Sequence, residues 1–511
     1  MKLLKNRSAE PDDVTKAVPS WSLYSLAIIL FSLFLQLLNW ELFPFFIDIY
    51  YHLSVMLGFN TAGGYVLNSF WEYAPVGRPH LYPPLLHIVM LGLYKLGASK
   101  IFIARLLSFI IFPFTLSAIW LFVKKVFNDR TAFFAVLVAS SVYTFYIALL
   151  TTIPATLALL CGLASFASIE RGRRVAAAIF LTYAFYLHAL MPWIIIVSFG
   201  LYCLLNKDKI GIYISAILPA IIAASPLILW QCLNARHLNV SSVAEDYSIE
   251  INVFLMLFAL IGLAQCRRLK GRYCFPVCLA AGFLVLVPVH AYRYMSGEGV
   301  FAFVILAAIG LDRFFEDFWR NKNPFLYVIS ALVLFSLFSP VLVIDRAGVS
   351  SGVMNSTFAN FLSISKKIEH GKARSIFFPK FYKDITDCIK ENSKPDDIIF
   401  SNMDYFAGVL GVMSDRATSN SMLNEVTSGK GFDPIGAATI VIWLKDPGAV
   451  KEELSGIIER YSLRKIKETD ISFIYKNDKQ TAKSRVNRAI IPTIVLFTVF
   501  LASLGLAVFD L

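Results

Sequence analysis

The sequence predicts an all-α polytopic membrane domain of about 11 to 13 transmembrane helices, followed by a small C-terminal α/β soluble domain and a final transmembrane helix. Three observations predict it. Of the 511 residues, 57% are hydrophobic and 16% charged, against roughly 45–50% and about 25% in a soluble domain. The apolar residues fall in repeated blocks of about 20, the length a helix needs to cross a hydrocarbon core. From residue 345 the composition turns polar, and short alternating runs mix with amphipathic ones. The net charge of +12 is spread in short clusters between apolar blocks, which sets membrane orientation and excludes a nucleic-acid partner.

Residues 1–20 form a polar tail with Lys2, Lys5, Arg7 and Lys16. It lacks the short apolar run and small-residue cleavage site of a secretory signal, so it reads as cytoplasmic. The first apolar block stops at Asp48, and the positive-inside rule puts the loop 48–82 on the outer side. Further blocks lie at about 83–97, 101–123, 131–150, 153–169, 175–205, 210–233, 251–266, 273–292, 298–312 and 324–344. They complete a membrane domain over 21–344. Basic clusters such as Lys124/Lys125/Arg130 and Arg171/Arg173/Arg174 cannot all be cytoplasmic if every block crosses. The 83–97 block is short and opens with Pro83-Pro84; if it dips in without crossing, Lys124 and Lys125 are cytoplasmic, so the exact number of crossings stays open.

In 345–488, SKPDDIIFSN, ATIVIWLK, SLRKIKET and ISFIYKND read as strands, with FYKDITDCIKE and GAVKEELSGIIERY as helices. The block 489–509 returns the chain to the membrane. Arg313, Arg320 and Lys322 ahead of the 324–344 block put the soluble domain outside. Lys483, Arg485 and Arg488 argue the reverse, but long domains cross largely regardless of charge. The seven cysteines give no disulfide framework, and no glycine-rich phosphate loop follows a strand.

The chemistry concentrates in the first loop, FFIDIYYHLS then NSFWEYAPVGRPHLYPPLLH. Asp48, His52, Glu72, Arg78, His80 and His87 meet there among many aromatics. Gly77, Arg78 and His80 before a prolyl pair make a stiff basic loop suited to an anion such as phosphate, for which the Arg fork is well shaped. An acid beside such a site points to group transfer from a phosphorylated donor.

These residues resemble a known family. Asp48 followed by Tyr50-Tyr51-His52-Leu53, then Gly77 and Tyr82-Pro83-Pro84-Leu85, is similar to the start of the GT-C membrane glycosyltransferases. The Asp-x-Tyr-Tyr-His-Leu run is closest to the catalytic subunit of archaeal oligosaccharyltransferase, and the Pro-Pro-Leu element to aminoarabinose and protein mannosyltransferases. The resemblance extends to AYRYMSGEGVFAFVILAAIGLDR, which places Arg293 near a lipid-linked phosphate. It also extends to Ser242-Val243-Ala244-Glu245-Asp246, similar to an acceptor-binding element that would use Glu245 and Asp246.

The resemblance implies a polyprenyl-phosphate-linked sugar donor, an acceptor that is a glycan, a lipid or a protein, and an inverting transfer in the cell membrane at its outer face. Asp48 would be the general base, with His52 and Glu72 as further catalytic candidates. Arg78, His80 and Arg293 would meet the donor phosphate. No cofactor is assigned: TFYIALLTTIPATLALL lacks the acidic pair of the oligosaccharyltransferase metal site, although Glu72 offers a second carboxylate for a divalent metal. No Trp-Trp-Asp-Tyr-Gly acceptor motif occurs. Protein glycosylation of the oligosaccharyltransferase type, and a non-catalytic or transport protein for lipid-linked sugars, stay open as alternatives.

Overall fold

In the computed structural model, residues 20–44, 48–239, 249–266, 271–319, 339–345, 348–354, 356–362, 379–420, 422, 426–428, 431–445, 451–480, 482–484 and 488–509 are described. The chain opens with α1 (Trp21–Leu38), whose buried stripe is Ser25, Ile29, Ser32, Leu35 and Gln36. Small polar residues at that spacing let it approach α4 (Lys100–Val126) and α5 (Asp129–Ser141) closely, as membrane helices do when hydrophobicity alone does not drive association. Its opposite side, including Leu30, Phe34 and Leu38, is exposed.

Between α1 and α4 lie α2 (Asp48–Ala62) and α3 (Leu85–Lys95). The stretch after Asp48, expected as loop, is thus a helix for its first 15 residues. Nine consecutive residues of it, Ile49 to Leu57, are buried; a helix with no exposed side shows no amphipathic period and is not distinguishable from an aromatic loop by pattern. At about 1.5 Å per residue, α3 spans roughly 16 Å, half of a hydrocarbon core about 30 Å thick.

The remaining helices of the membrane part are α6 (Tyr143–Thr151), α7 (Ile153–Ile169), α8 (Arg174–Leu187), α9 (Met191–Leu205), α10 (Ile210–Leu233), α11 (Val253–Cys266), α12 (Phe275–Phe283), α13 (Val287–Met295) and α14 (Val300–Trp319). α5 and α6 meet at 76°. Among the described residues, four helices are long and apolar enough to cross a membrane, Trp21–Leu38, Lys100–Val126, Lys207–Leu233 and Tyr292–Glu316, or five if the bent pair counts as one. Asp312 near the end of α14 pairs with Arg130 and accepts from Thr131 at 2.5 Å, which fixes α14 to the start of α5.

Part of the expected 324–344 block takes another form. Ser339–Asp345 is a strand, paired antiparallel with Ile249–Asn252 on one side and Gly348–Met354 on the other. Its Val341-Leu342-Val343-Ile344 run is β-branched at three of four positions and has two exposed members, Leu342 and Ile344, so hydropathy counted it with the preceding apolar residues although its geometry is extended.

Toward the C-terminus, a five-stranded sheet is formed by Ile398–Ser401, Ala417–Thr418, Ile440–Leu444, Arg464–Glu468 and Ser472–Lys476. The first pairs parallel with the second and third, and the last two complete an antiparallel edge. Helices α15 (Pro379–Asn392), α16 (Asp404–Ser414) and α17 (Lys451–Tyr461) accompany it.

This unit is fixed to the first loop. α16 packs on α2, and Lys100 Nζ reaches Asp415 at 2.7 Å. The edge strand Ala417–Thr418 exchanges backbone hydrogen bonds with the loop, Ala74 N to Thr418 O and Thr418 N to Trp71 O, both 2.9 Å. The chain ends in α18 (Thr493–Phe509).

Candidate active site

Asp48 is the first residue of α2 and sits half-buried. Four residues on, His52 shares its face of the helix. The loop after α2 doubles back through the short strand pair Asn68–Ser69 and Arg78–Pro79, which delivers Glu72, Arg78 and His80 to the same region. Pro84 then caps α3, a place where a missing N–H costs nothing, and His87 follows in its first turn.

Two clusters result. In the first, Glu72 and Arg78, 2% and 5% exposed, form a buried ion pair through Arg78 Nη2. The other terminal nitrogen donates to the Val426 carbonyl at 2.8 Å, and the guanidinium lies over the rings of Tyr73 and Tyr51 at 5.4 and 5.8 Å. Two expected site residues are therefore brought together as partners of each other.

The second cluster is histidine. His52 Nδ1 and His87 Nε2 are 2.9 Å apart, and the His80 ring is 5.7 Å from that of His87. Tyr82 packs edge-on to His52, His87 and His188 at 5.3, 5.7 and 6.3 Å. Burial pushes His52 down to about 3; burial, with the charge of Arg78 adding, does the same to His80. Both imidazoles are neutral at pH 7. They are hydrogen-bonding groups there, not proton acceptors.

From the other side of the fold, the turn between α8 and α9 supplies His188, whose Nδ1 accepts the Leu190 and Met191 N–H groups at 3.1 and 3.2 Å. With Nδ1 so engaged, a neutral His188 carries its proton on Nε2. It feels the charge of Arg293. Arg293, at the end of α13, lies 3.8 Å from Glu298, which is 4% exposed, and is itself about a quarter exposed at 23%. Tyr292 beside it feels Glu298, Arg293 and Asp48. Asp48 and Tyr292, some 240 residues apart in sequence, thus lie within electrostatic range of each other.

The structure brings Asp48, His52, His80 and Arg293 around one region, with Glu72 and Arg78 paired beside it. Glu245 and Asp246 lie outside the described residues. Among those residues, no three His, Cys, Asp or Glu side chains are grouped so as to hold a metal ion. His188, Tyr292 and Glu298 were not singled out from sequence. His188 stands alone in an apolar stretch and Tyr292 is one of many aromatics, so only their surroundings mark them. A local signal existed for Glu298, in the Ser-Gly-Glu-Gly break between α13 and α14.

No protein-family model matches the sequence, and a search of curated proteins gave no match. Solved structures do match in fold. One is ArnT from Cupriavidus metallidurans bound to undecaprenyl phosphate, 13% identical, covering 90% of this chain and 98% of that one with a TM-score of 0.55. Another is the apo oligosaccharyltransferase of Archaeoglobus fulgidus, 12% identical, with 79% of this chain covering 65% of that one at a TM-score of 0.52. The chain accordingly shares the fold of ArnT and of the archaeal oligosaccharyltransferase.

Proposed function

We propose that the protein is an integral membrane glycosyltransferase that moves a sugar from a polyprenyl-phosphate-linked donor to an acceptor hydroxyl at the outer face of the membrane. The observation that carries the reading is that Asp48, at the head of a buried helix, lies within electrostatic range of Tyr292, the neighbour of Arg293, on a fold shared with a protein solved with undecaprenyl phosphate. An acid and a cation that converge across the sequence, half-buried at the ends of apolar helices, suit a reaction between a base and a departing phosphate.

In this reading the Asp48 carboxylate takes the proton of the acceptor hydroxyl as its oxygen attacks the anomeric carbon. The bond from that carbon to the phosphate oxygen breaks, and polyprenyl phosphate leaves with the electron pair. Attack from the face opposite the phosphate inverts the centre. Arg293 meets the charge that grows on the phosphate, where a preorganised cation in a water-poor site is worth most. His188, with Nε2–H free of the backbone contact, is placed to donate a second hydrogen bond.

Asp48 is preferred as base over His52 and His80 because burial keeps those rings neutral and poorly basic. The Arg78–Glu72 pair holds the loop in register. The short apolar helices are read as bringing the number of crossings toward about 11 to 13. The unit after residue 345 covers the site from outside, and α18 is read as the last crossing.

The test is transfer. Purified protein is incubated with radiolabelled polyprenyl-phosphate sugars in membrane mimics, and the label is followed. Asp48→Asn keeps size and hydrogen bonding and removes the base, so transfer should fall about 100- to 10,000-fold. Wild-type turnover by a well-folded Asp48→Asn protein ends the assignment.

A further inference from the structure

Several turns of the helix bundle gather on one face, away from the residues around Asp48. Ser22 Oγ donates to Asp129 at 2.9 Å, which ties the start of α1 to that of α5. The rings of Phe127 and Tyr273 meet at 5.5 Å, Asn206 Nδ2 reaches Cys274 Sγ at 3.5 Å, and Lys209 meets Glu170 at 3.4 Å. The turns 126–129, 169–174, 205–210 and 271–274 therefore share one end of the fold. α8 separates that end from the candidate site. It begins at Arg174 and is capped by His188, and at about 1.5 Å per residue the two stand roughly 20 Å apart.

Most cations of this face have an acid. Lys124 pairs with Asp129 at 2.9 Å, Arg130 with Asp312, and Lys209 with Glu170. Lys125, Arg171 and Arg173 differ: no described acid forms an ion pair with any of them. They are also neighbours. Phe122 near the end of α4 packs on Phe166 near the end of α7, ring centres 6.0 Å apart, and Lys125 feels the charges of Arg171 and Arg173. Like charges held within such range repel one another.

Two further features sit at the same turn. Arg173 Nη1 is buried and has no hydrogen-bond partner among the described residues, and a buried N–H group is costly until an acceptor meets it. Arg173 is also the residue before α8, whose first turn has neither a capping side chain nor an acid. The positive end of that helix adds to the three cations.

We propose that Lys125, Arg171 and Arg173, at the start of α8, bind the phosphate of an anionic phospholipid in the leaflet at this end of the helices. The inference goes beyond the transfer reaction and does not depend on it. Unoffset cations, a guanidinium N–H in need of an acceptor and an uncapped helix start all call for an anion with several acceptor oxygens. Phosphate supplies them in the geometry that an Arg fork and a helix N-terminus favour. The surroundings choose a lipid as its source. Leu121 shares a face of α4 with Lys125, one turn away, and Val175 opens α8 beside the arginines. Both are exposed, at 46% and 58%, so acyl chains have apolar surface to lie on while the headgroup meets the cations. A free phosphate would use the cations alone.

The experiment loads the purified full chain in detergent with equal amounts of phosphatidylglycerol and phosphatidylcholine of matched chains and reads bound lipid by native mass spectrometry. Phosphatidylglycerol should be retained in preference, and high salt during loading should weaken it. Lys125→Gln, Arg171→Gln and Arg173→Gln should each weaken that retention by about fivefold, the usual effect of one cation at an anionic lipid surface. Three separate positions keep the test decisive where one variant fails to fold. Arg236→Gln removes an exposed cation just past the far end of α10 and should leave retention unchanged. Equal retention of the two lipids, an equal loss in Arg236→Gln, or unchanged binding in the folded cation variants overturns the proposal. Displacement of the phosphatidylglycerol by millimolar inorganic phosphate also overturns it, because the site would then take a free anion.

Discussion

Breaking the Glu72–Arg78 pair should be among the most damaging single changes outside the helix packing. Both side chains are nearly inaccessible, at 2% and 4%, so neither charge falls back on water when its partner goes. Arg78→Met takes the cation from a buried carboxylate and the donor from the Val426 carbonyl, which should cost about 3–5 kcal/mol. Glu72→Gln should cost less, because the amide oxygen still accepts from Arg78 and the guanidinium keeps Val426; about 1–3 kcal/mol is the range for a weakened charged hydrogen bond. The double change Glu72→Met with Arg78→Met should recover much of the loss, since replacing a whole buried pair by apolar groups is often neutral or better.

Thermal unfolding of the three variants in one detergent, followed by size-exclusion of the heated protein, orders them. Arg78→Met below Glu72→Gln, with the double variant above Arg78→Met, is the expected series. If Arg78→Met is as stable as wild type, the pair is not what holds the loop. If the stable double variant also loses donor use selectively, Arg78 touches the phosphate itself.

Arg293→Gln should raise the apparent KM for donor by about tenfold, the loss of a charged hydrogen bond of roughly 1.5–3 kcal/mol, while the acceptor KM stays put; the reverse split in initial-rate kinetics would dismiss the phosphate contact. His52 and His80 bind fewer protons folded than unfolded, so stability is complete above about pH 6.5 and falls as acid approaches about 3, at about 2 kcal/mol per group by pH 5. Melting curves at pH 7 and 5 should show the fall, and His80→Gln should make it shallower; an equal slope in that variant contradicts a buried neutral His80. Gly262 on α11 and Gly310 on α14 sit backbone to backbone, where a Cβ on Gly310 would stand 2.1 Å from the Phe258 carbonyl oxygen. Gly310→Val should abolish monodisperse protein in fluorescence-detected chromatography, and a normal peak would mean the helices can part without loss.

The sequence by itself determined the class of the molecule and the loop in which its polar side chains gather. Long apolar blocks fix helices in lipid because the backbone must satisfy itself there, and Asp48, His52, Arg78 and His80 stood out as polar residues in an aromatic loop between such blocks. Strand positions such as Ile398–Ser401 and Ile440–Leu444 were also legible, since alternation and β-branching act locally. What only the tertiary structure decided depends on neighbours distant in sequence. Whether Arg78 faces a ligand or a carboxylate turned on Glu72 and on Val426, 348 residues away. Asp48 gained its companions from a turn at 292–298, and α18 is placed by the pairing of Ile491–Pro492 with Gly64–Tyr65. Buried α2 was hidden for the same reason: packed on all sides, it carries no periodic trace of a solvent face, and periodicity is the signal by which a helix is read.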